Sequence, residues 1–362
     1  MAGHGDDLGT TLPVPAGQGL DTEALRGWLC QNLAGFDGPL RIEAFKGGQS
    51  NPSYKVSGPG ATCVVRTKPA PKAQLLPSAH AIEREFRVMQ ALHGSGVPLP
   101  RMLGLCEDES IIGRAFYAME FVQGRVFWDQ SLPGCSAQER AALYDAMNDT
   151  ISRLHGVAYA ERGLADFGRI GNYFERQIGR WSRQYAASVT EPIPEMDQLI
   201  AWLPAHIPAM ARADHMTRIV HGDFRLDNLV FHPTRPQVVA VLDWELSTLG
   251  HPLADFSYHA MAWSIAPGDF RGIHGLDLPA LGIPDQGSYL ARYCERTGLV
   301  GLQDLQADWN FYMAYNLFRM AAILQGIAKR IEMGTASSAQ ALQAAAGAKP
   351  LARLGWRFAQ AA

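Results

Sequence analysis

The sequence lacks the features of a small disulfide-stabilised or zinc-binding protein. Its five cysteines are odd in number, widely spaced and never arranged as a C-x-x-C pair: Cys30, Cys63, Cys106, Cys135 and Cys294. This usage favours a reducing, cytoplasmic location.

No apolar run of about 18 residues occurs, and residues 1–20 lack the apolar segment of a signal peptide, so we expect no membrane association. The net charge of −3 gives no electrostatic reason to expect a nucleic-acid partner.

What the sequence does have is an ordinary globular composition in a chain too long for one hydrophobic core. Of 362 residues, 47% are hydrophobic and 19% are charged. Chains of this length usually divide their core, so we expect two lobes. Residues 1–20 carry glycine, proline and threonine without periodicity, and we expect them to form a flexible tail.

The order of predicted elements indicates the fold class. Five short β-rich runs separated by turn residues fall in the first third of the chain, at 42–45, 54–56, 61–68, 102–105 and 116–121. Apolar residues at helical spacing predict one helix among these runs, over 78–92. Most later segments have a helical pattern, at about 136–157, 173–188, 197–213, 286–297 and 307–332. This order predicts an α+β fold, in which a small antiparallel sheet with one long helix precedes a larger, mainly helical part.

One segment carries residue types that suit phosphoryl transfer. A His-Gly-Asp sequence ends at Asp223, Asn228 lies five residues further on, and Asp243 follows fifteen residues after that. In phosphoryl transfer one carboxylate orients the acceptor hydroxyl and takes its proton, whereas an amide oxygen and a second carboxylate suit Mg²⁺. The apolar runs 229–231 and 238–242 predict a hairpin, which would bring Asn228 and Asp243 together.

The segment resembles the catalytic loop and metal-binding motif of the aminoglycoside phosphotransferase/choline kinase-like family, a relative of the protein kinases. His221-Gly-Asp223 is the small-molecule-kinase form, and Leu242-Asp-Trp-Glu245 takes the place of the kinase Asp-Phe-Gly. The longer match, through His251-Pro-Leu-Ala-Asp255, is similar in particular to the kinase-like domain of acyl-CoA dehydrogenase family members 10 and 11. The resemblance extends over roughly residues 40–330 and implies a bilobal protein-kinase-like fold.

The resemblance also implies where the lobes and the site residues lie. It implies an N-terminal nucleotide-binding lobe over 21–121 and a helical C-terminal lobe, with the catalytic loop and acceptor site, over 122–362. Asp223 would be the catalytic base, and Asn228 and Asp243 would hold Mg²⁺. A glycine-rich turn, a strand cation, a helix carboxylate and an interlobe hinge would bind ATP through Gly47, Gly48, Ser50, Asn51, Arg66, Glu85, Glu120 and Val122.

Two of these assignments leave alternatives open. Arg66 stands at the family's lysine position, but Lys68 lies two residues on and therefore on the same strand face. Either cation could contact the phosphates, and either could be solvated at a sheet edge. By resemblance Glu85 is the carboxylate that pairs with the strand cation, although periodicity alone fits an exposed helix face that carries both Glu83 and Glu85 equally well.

Four neighbouring residues have supporting roles in the same interpretation. We expect His221 to pack and bond backbone, and Asp255 to brace the catalytic loop by accepting backbone N–H bonds, as in the family. Asp227 would be solvated or loop-bracing. Glu245 would either support a second metal or face solvent.

The acceptor is predicted from charge. Three arginines at helical spacing, Arg176, Arg180 and Arg183, together with Arg225 in the catalytic loop, favour an anionic acceptor over a polycationic aminoglycoside. An exposed basic helix face without a ligand explains the same pattern. Since members of the resembling subfamily act on hydroxyacyl-CoA thioesters, 4-hydroxyacyl chains in particular, a hydroxyacyl-CoA is the leading acceptor hypothesis.

Other functions compete with that of a small-molecule kinase. An aminoglycoside or choline-type kinase would share the fold and the motif. A non-catalytic pseudokinase that binds nucleotide is disfavoured because Asp223, Asn228 and Asp243 are all present. A protein kinase is disfavoured because Gly222 replaces arginine and no Ala-Pro-Glu segment follows Asp243. We expect a monomer or homodimer.

Overall fold

The computed structural model describes residues 11–14, 19–45, 51–69, 81–334 and 339–362. The strands in these ranges are β1 (Thr11–Pro13), β2 (Arg41–Phe45), β3 (Ser53–Ser57), β4 (Thr62–Thr67), β5 (Met102–Cys106), β6 (Phe116–Glu120), β7 (Arg218–Val220), β8 (Leu229–Phe231), β9 (Val238–Val241) and β10 (Thr248–Gly250). The α-helices are α1 (Thr22–Asn32), α2 (Ile82–Leu92), α3 (Ala137–His155), α4 (Tyr173–Ser188), α5 (Pro194–Ala205), α6 (Pro252–Ala260), α7 (Leu278–Leu281), α8 (Gln286–Thr297), α9 (Leu302–Glu332), α10 (Ala339–Ala346) and α11 (Ala348–Gln360). The predicted α+β class is confirmed.

The chain forms two compact units. The first, here called the sheet unit, comprises Met1–Gly134, Ala160–Leu164 and Arg225–Ser247. The second, the helical unit, comprises Cys135–Tyr159, Ala165–Phe224 and Thr248–Ala362. Within the described ranges, no helix combines the length and the apolar character that a bilayer crossing requires.

A six-stranded antiparallel sheet forms the centre of the sheet unit, in the order β1-β2-β3-β4-β6-β5. Helix α1 covers one face of the sheet with Leu25 and Leu29, both fully buried, and the Trp28 ring meets Phe116 edge-on at 4.9 Å. Alternate residues of β3 point into this core, which is the period-2 burial expected of a half-covered strand. The five β-rich runs of the sequence correspond to β2 to β6.

The predicted tail over residues 1–20 contains a strand. Residues 11–13 form β1 at the sheet edge, paired with β2 so that Leu12 lies opposite Ala44. Leu12 is 46% exposed. An edge strand gains its ladder hydrogen bonds from the backbone and needs no apolar pattern, so composition alone did not indicate it.

The long helix α9 organises the helical unit, with α4, α5, α6, α10 and α11 packed along it. Helix α6 is buried at every one of its nine positions and also packs against β7. Strand β7 pairs antiparallel with β10, so that the segment before His221 lies beside the segment that leads into α6. This pairing brings the His-Gly-Asp loop and α6 together within the helical unit.

Candidate active site

The hairpin predicted between Asn228 and Asp243 is present in the sheet unit. Strand β8 pairs with β9, with Leu229 opposite Val241, and the Leu242 N–H donates to the carbonyl of Asn228 over 2.8 Å. Asn228, immediately before the first residue of β8, therefore lies beside the residue that precedes Asp243. Asp243 itself adopts the left-handed conformation, with φ of 67°, which aspartate tolerates better than most residues. The prediction of a hairpin that joins these two positions is confirmed.

Arg66 forms an ion pair with Asp243 within the sheet unit. It lies on β4 and is 7% exposed, and its Nη2 donates to Asp243 Oδ1 over 2.6 Å. Its Nε lies 3.0 Å from Glu85 Oε2, an ion pair without the alignment of a hydrogen bond. Glu245 Oε2 lies further away, 3.9 Å from Nη2. Burial lowers the pKa of Arg66, but the carboxylates of Glu85 and Asp243 outweigh it and hold that pKa above its ordinary value.

Glu85 is the centre of a buried polar cluster. It lies on α2, is 1% exposed, and accepts hydrogen bonds from Asn51 Nδ2 over 2.8 Å and from the Tyr117 hydroxyl over 3.1 Å. Burial raises the pKa of Glu85, and the attraction of Arg66 and these hydrogen bonds oppose that effect. The register of the sheet explains the cluster, because Tyr117 on β6 lies directly opposite Arg66 on β4.

The alternative residues Lys68 and Glu83 form a separate pair. Lys68 Nζ forms an ion pair with Glu83 Oε1, and each side chain is 30% exposed. The structure thus places Arg66 with Glu85 in the interior and Lys68 with Glu83 at the surface. Gly47, Gly48 and Ser50 lie outside the described residues, so the glycine-rich turn stays a prediction.

The predicted hinge residues Glu120 and Val122 lie at the end of β6 and just beyond it. Glu120 ends β6 opposite Cys63, and it bonds Arg101 twice: its N–H donates to the Arg101 carbonyl over 2.8 Å and its carboxylate accepts the Arg101 N–H over 3.2 Å. Val122 is half-buried in the irregular segment that follows. That segment packs closely on β8, since a Cβ on Gly124 would lie 2.3 Å from a backbone oxygen of that strand.

In the helical unit, Asp255 holds the loop that contains Asp223. Its two carboxylate oxygens accept the N–H groups of His221, over 2.7 Å, and of Gly222, over 2.8 Å. Burial raises the pKa of Asp255, but hydrogen bonds and attraction from His155 and His221 outweigh it and hold that pKa below its usual range. The bracing role expected for Asp255 is confirmed. His221 is fully buried, and its Nδ1 accepts the Asp223 N–H over 3.2 Å, as expected of a packing and backbone-bonding residue.

Asp223 is bonded by a residue of α6 that the sequence did not single out. The Tyr258 hydroxyl donates to Asp223 Oδ1 over 2.5 Å. Arg319 on α9 donates to the Gly222 carbonyl, and its guanidinium lies 4.9 Å from the centroid of the Tyr258 ring. No local motif marks Tyr258 or Arg319, because they reach the loop only through the packing of two helices.

The arginine face predicted on α4 is only partly available to a ligand. The Arg176 guanidinium donates hydrogen bonds to the carbonyls of Gly171 and Arg169, and the second of these bonds measures 2.9 Å. Arg180 and Arg183 are exposed on the same helix. In the sheet unit, Arg225 Nε lies 3.3 Å from Asp227 Oδ1, which fits the loop-bracing role considered for Asp227.

The family model described as the phosphotransferase enzyme family matches residues 41–305. The chain belongs to this phosphotransferase family. The mouse protein acyl-CoA dehydrogenase family member 10 is 46% identical over 354 residues, which make up 96% of this chain and 32% of the mouse protein. The chain thus spans about a third of the length of that relative.

Solved phosphotransferase structures match the chain over most of its length. A crystal structure from Ralstonia eutropha JMP134, provisionally assigned as an aminoglycoside phosphotransferase, is 58% identical with a TM-score of 0.84 and covers 95% of this chain and 99% of that one. A mutant of aminoglycoside phosphotransferase APH(4)-Ia, solved with ADP and hygromycin B, has a TM-score of 0.58 at 14% identity and covers 92% and 97%. The second likeness shows the fold alone. The expected family and protein-kinase-like fold are confirmed.

Proposed function

We propose that this phosphotransferase moves the γ-phosphoryl group of Mg-ATP to a hydroxyl group of a small molecule. Membership in the phosphotransferase family supports the reaction class. The observation that carries the specific proposal is the hairpin that sets Asn228 beside Asp243, next to the buried pair Arg66 and Glu85. Within the sheet unit, the Asp243 carboxylate thus meets the fixed Arg66 cation, and the residue before Asp243 bonds the backbone of Asn228.

Arg66 is the residue proposed to bind the nucleotide phosphates. Glu85 and Asp243 fix its guanidinium from two sides, and a planar guanidinium suits phosphate oxygens. Glu85 is in turn held by Asn51 and Tyr117, so we assign Asn51 to support of this ion pair as well as to the nucleotide site. The backbone of Glu120 and Val122 is proposed to bond the adenine edge, and Gly47, Gly48 and Ser50 to cover the phosphates.

The donor set fits a magnesium ion. Asp243 offers a carboxylate and Asn228 an amide, and Mg²⁺ prefers oxygen donors of these types from one or two protein residues. When bound with ATP, Mg²⁺ supplies charge neutralisation for the phosphate oxygens. The hydrogen bond from Arg66 orients the Asp243 carboxylate.

Asp223 is the proposed catalytic base. It accepts the hydrogen bond of the acceptor hydroxyl and takes its proton as the acceptor oxygen bonds to the γ-phosphorus and the bond from that phosphorus to the β–γ bridging oxygen breaks. ADP leaves with that oxygen. Positioning dominates such a loose reaction, and general-base catalysis contributes about 10²–10⁴-fold.

A hydroxyacyl-CoA, in particular one with a 4-hydroxyacyl chain, is the proposed acceptor. The exposed Arg180 and Arg183 provide positive charge that suits the phosphates of such a thioester. The name of the mouse relative refers to acyl-CoA, although the chain corresponds to 32% of that protein. Aminoglycosides, which are polycations, fit this charge poorly.

ADP formation from Mg-ATP tests the proposal when it is measured with a panel of one 4-hydroxyacyl-CoA, choline and one aminoglycoside. We expect stimulation by the 4-hydroxyacyl-CoA alone, with a loss of about 10²–10⁴-fold in Asp223→Asn. The matched control Asp285→Asn changes an exposed N-cap of α8 and should leave turnover unchanged. Stimulation by the aminoglycoside or choline alone would overturn the proposed assignment of the acceptor. Wild-type turnover in Asp223→Asn would overturn the mechanism.

A further inference from the structure

Helix α9 fixes α6 through two residues one helical turn apart. Asn316 is fully buried, and its Nδ2 donates to the Ala254 carbonyl over 3.0 Å and to Ser257 Oγ over 2.7 Å. Arg319 lies three positions further along α9, hence on the same face, and is 6% exposed. These two polar residues of α9 are therefore directed at α6 and the loop beside it.

A buried guanidinium is costly, so the contacts of Arg319 indicate what it supports. It donates to the Gly222 carbonyl, one residue before Asp223, and lies 4.9 Å from the ring centroid of Tyr258 and 5.6 Å from that of Trp181. Burial lowers the pKa of Arg319, but nearby tyrosines and Asp223 outweigh it and raise that pKa. An arginine guanidinium stays charged in proteins, and this one touches both the ring and the backbone that place the Asp223 carboxylate.

The Tyr258 hydroxyl completes the arrangement with a 2.5 Å bond to Asp223 Oδ1. Such a length is typical of a hydroxyl that donates to a charged oxygen. We propose that Tyr258 and Arg319 are positioning residues for the reaction, which hold the Asp223 carboxylate in the orientation that receives the acceptor proton. This inference rests on the proposed function.

The role follows from the geometry of the three groups. Tyr258 fixes one carboxylate oxygen and so restricts rotation of the Asp223 side chain, while Arg319 fixes the Tyr258 ring and the preceding peptide. A misplacement of about 1 Å costs about 10²-fold in a reaction that depends on alignment. In this proposal neither Tyr258 nor Arg319 transfers a proton to or from the substrate or forms a covalent bond with it.

The first test compares Tyr258→Phe with Tyr289→Phe. Both tyrosines belong to the helical unit and bond a side chain there, but the Tyr289 hydroxyl bonds His259 Nε2, over 2.7 Å, rather than Asp223. We expect Tyr258→Phe to lower kcat for ADP formation by about 10–100-fold with the KM for ATP within about twofold, and Tyr289→Phe to keep kcat within about twofold. Arg319→Lys keeps the charge but loses the planar stacking, and it should lower kcat by about 10-fold.

A second test distinguishes positioning from a merely structural effect. If Tyr258 acts through Asp223, Tyr258→Phe causes no further loss in an Asp223→Asn background, because residues that act together are non-additive. Each variant is assayed with a 4-hydroxyacyl-CoA and, in parallel, with water as the sole acceptor. If Tyr258→Phe lowers kcat equally in the wild-type and the Asp223→Asn backgrounds, or if Tyr258→Phe keeps the wild-type kcat, the positioning role alone is overturned. Wild-type turnover in Asp223→Asn, or no ADP from the wild-type protein, overturns the proposed function itself.

Discussion

Replacement of Asp255, the α6 residue that braces the loop containing Asp223, by asparagine should destabilise the helical unit. Asp255 is 2% exposed, and each of its oxygens accepts a backbone N–H of the His221–Gly222 segment. Asparagine keeps the shape of the side chain but replaces one acceptor by an NH₂ group. One buried backbone N–H then faces a donor, and the other bond loses its charge.

The magnitude follows from these two bonds. A hydrogen bond to a charged group contributes about 1.5–3 kcal/mol, and a buried donor left without a partner costs about 1–3 kcal/mol. We therefore expect Asp255→Asn to lower the free energy of unfolding by about 3–5 kcal/mol. For a unit of this size that loss corresponds to about 6–20 °C in Tm.

Thermal and urea unfolding at several pH values measure this effect. Because the folded pKa of Asp255 is held below its usual range, its contribution is present above the unfolded pKa of about 3.9 and is lost as the pH falls through the folded value. The difference in the free energy of unfolding between wild type and Asp255→Asn should thus have its full size at pH 7 and become smaller only below about pH 4. Asp285→Asn, an exposed cap, should cost less than about 0.5 kcal/mol. A difference below about 1 kcal/mol, or one that is independent of pH, would refute the reasoning.

Three further predictions concern the sheet unit and are checked by urea unfolding. Arg66→Met should cost roughly 3–5 kcal/mol because it leaves a buried carboxylate unpaired, whereas Lys68→Met should cost below about 1 kcal/mol; equal costs would contradict the distinction. Tyr117→Phe should cost about 1.5–3 kcal/mol, through loss of a hydrogen bond to a charged group, and an unchanged midpoint would exclude that bond. Gly124→Ala should cost about 1–3 kcal/mol because its Cβ would lie 2.3 Å from a β8 backbone oxygen, while Gly27→Ala, with nothing within 4 Å in helix α1, should be neutral or stabilising.

The part of the candidate site that is contiguous in sequence could be predicted well. The hairpin between Asn228 and Asp243 follows from two apolar runs and a turn, and the bracing by Asp255 follows from the same motif. The hairpin depends on a local apolar pattern, whereas the role of Asp255 was implied by the resemblance to the family. The locations of the lobe boundaries, the cytoplasmic setting and the oligomeric state stay predictions.

Long-range register decided what local periodicity left open. Periodicity alone fitted an exposed helix face that carries both Glu83 and Glu85, and spacing left both Arg66 and Lys68 as the cation that contacts the phosphates. The sheet places Tyr117 opposite Arg66, and the Tyr117 hydroxyl reaches Glu85, so the inner pair is defined by strands far apart in the chain. A local stretch of sequence does not contain the information that defines this pair.

Helix α6 was missed for a physical reason. All nine residues from Pro252 to Ala260 are buried, so the segment has no polar face and no amphipathic period. Tyr258 was missed with it. The arginines of α4 show what a period leaves undecided, since it places three on one face, but Arg176 bonds backbone carbonyls while Arg180 and Arg183 are exposed.

Equilibrium binding of ATP, measured by calorimetry with and without Mg²⁺, tests the central assignment most directly. The wild-type protein and Asp223→Asn should bind Mg-ATP with equal affinity, because Asp223 acts on the acceptor. Asp243→Ala should lose the magnesium-dependent part of the binding, because its carboxylate is the proposed metal ligand. Magnesium-dependent binding of wild-type strength in Asp243→Ala would contradict the assignment of phosphoryl transfer to this site.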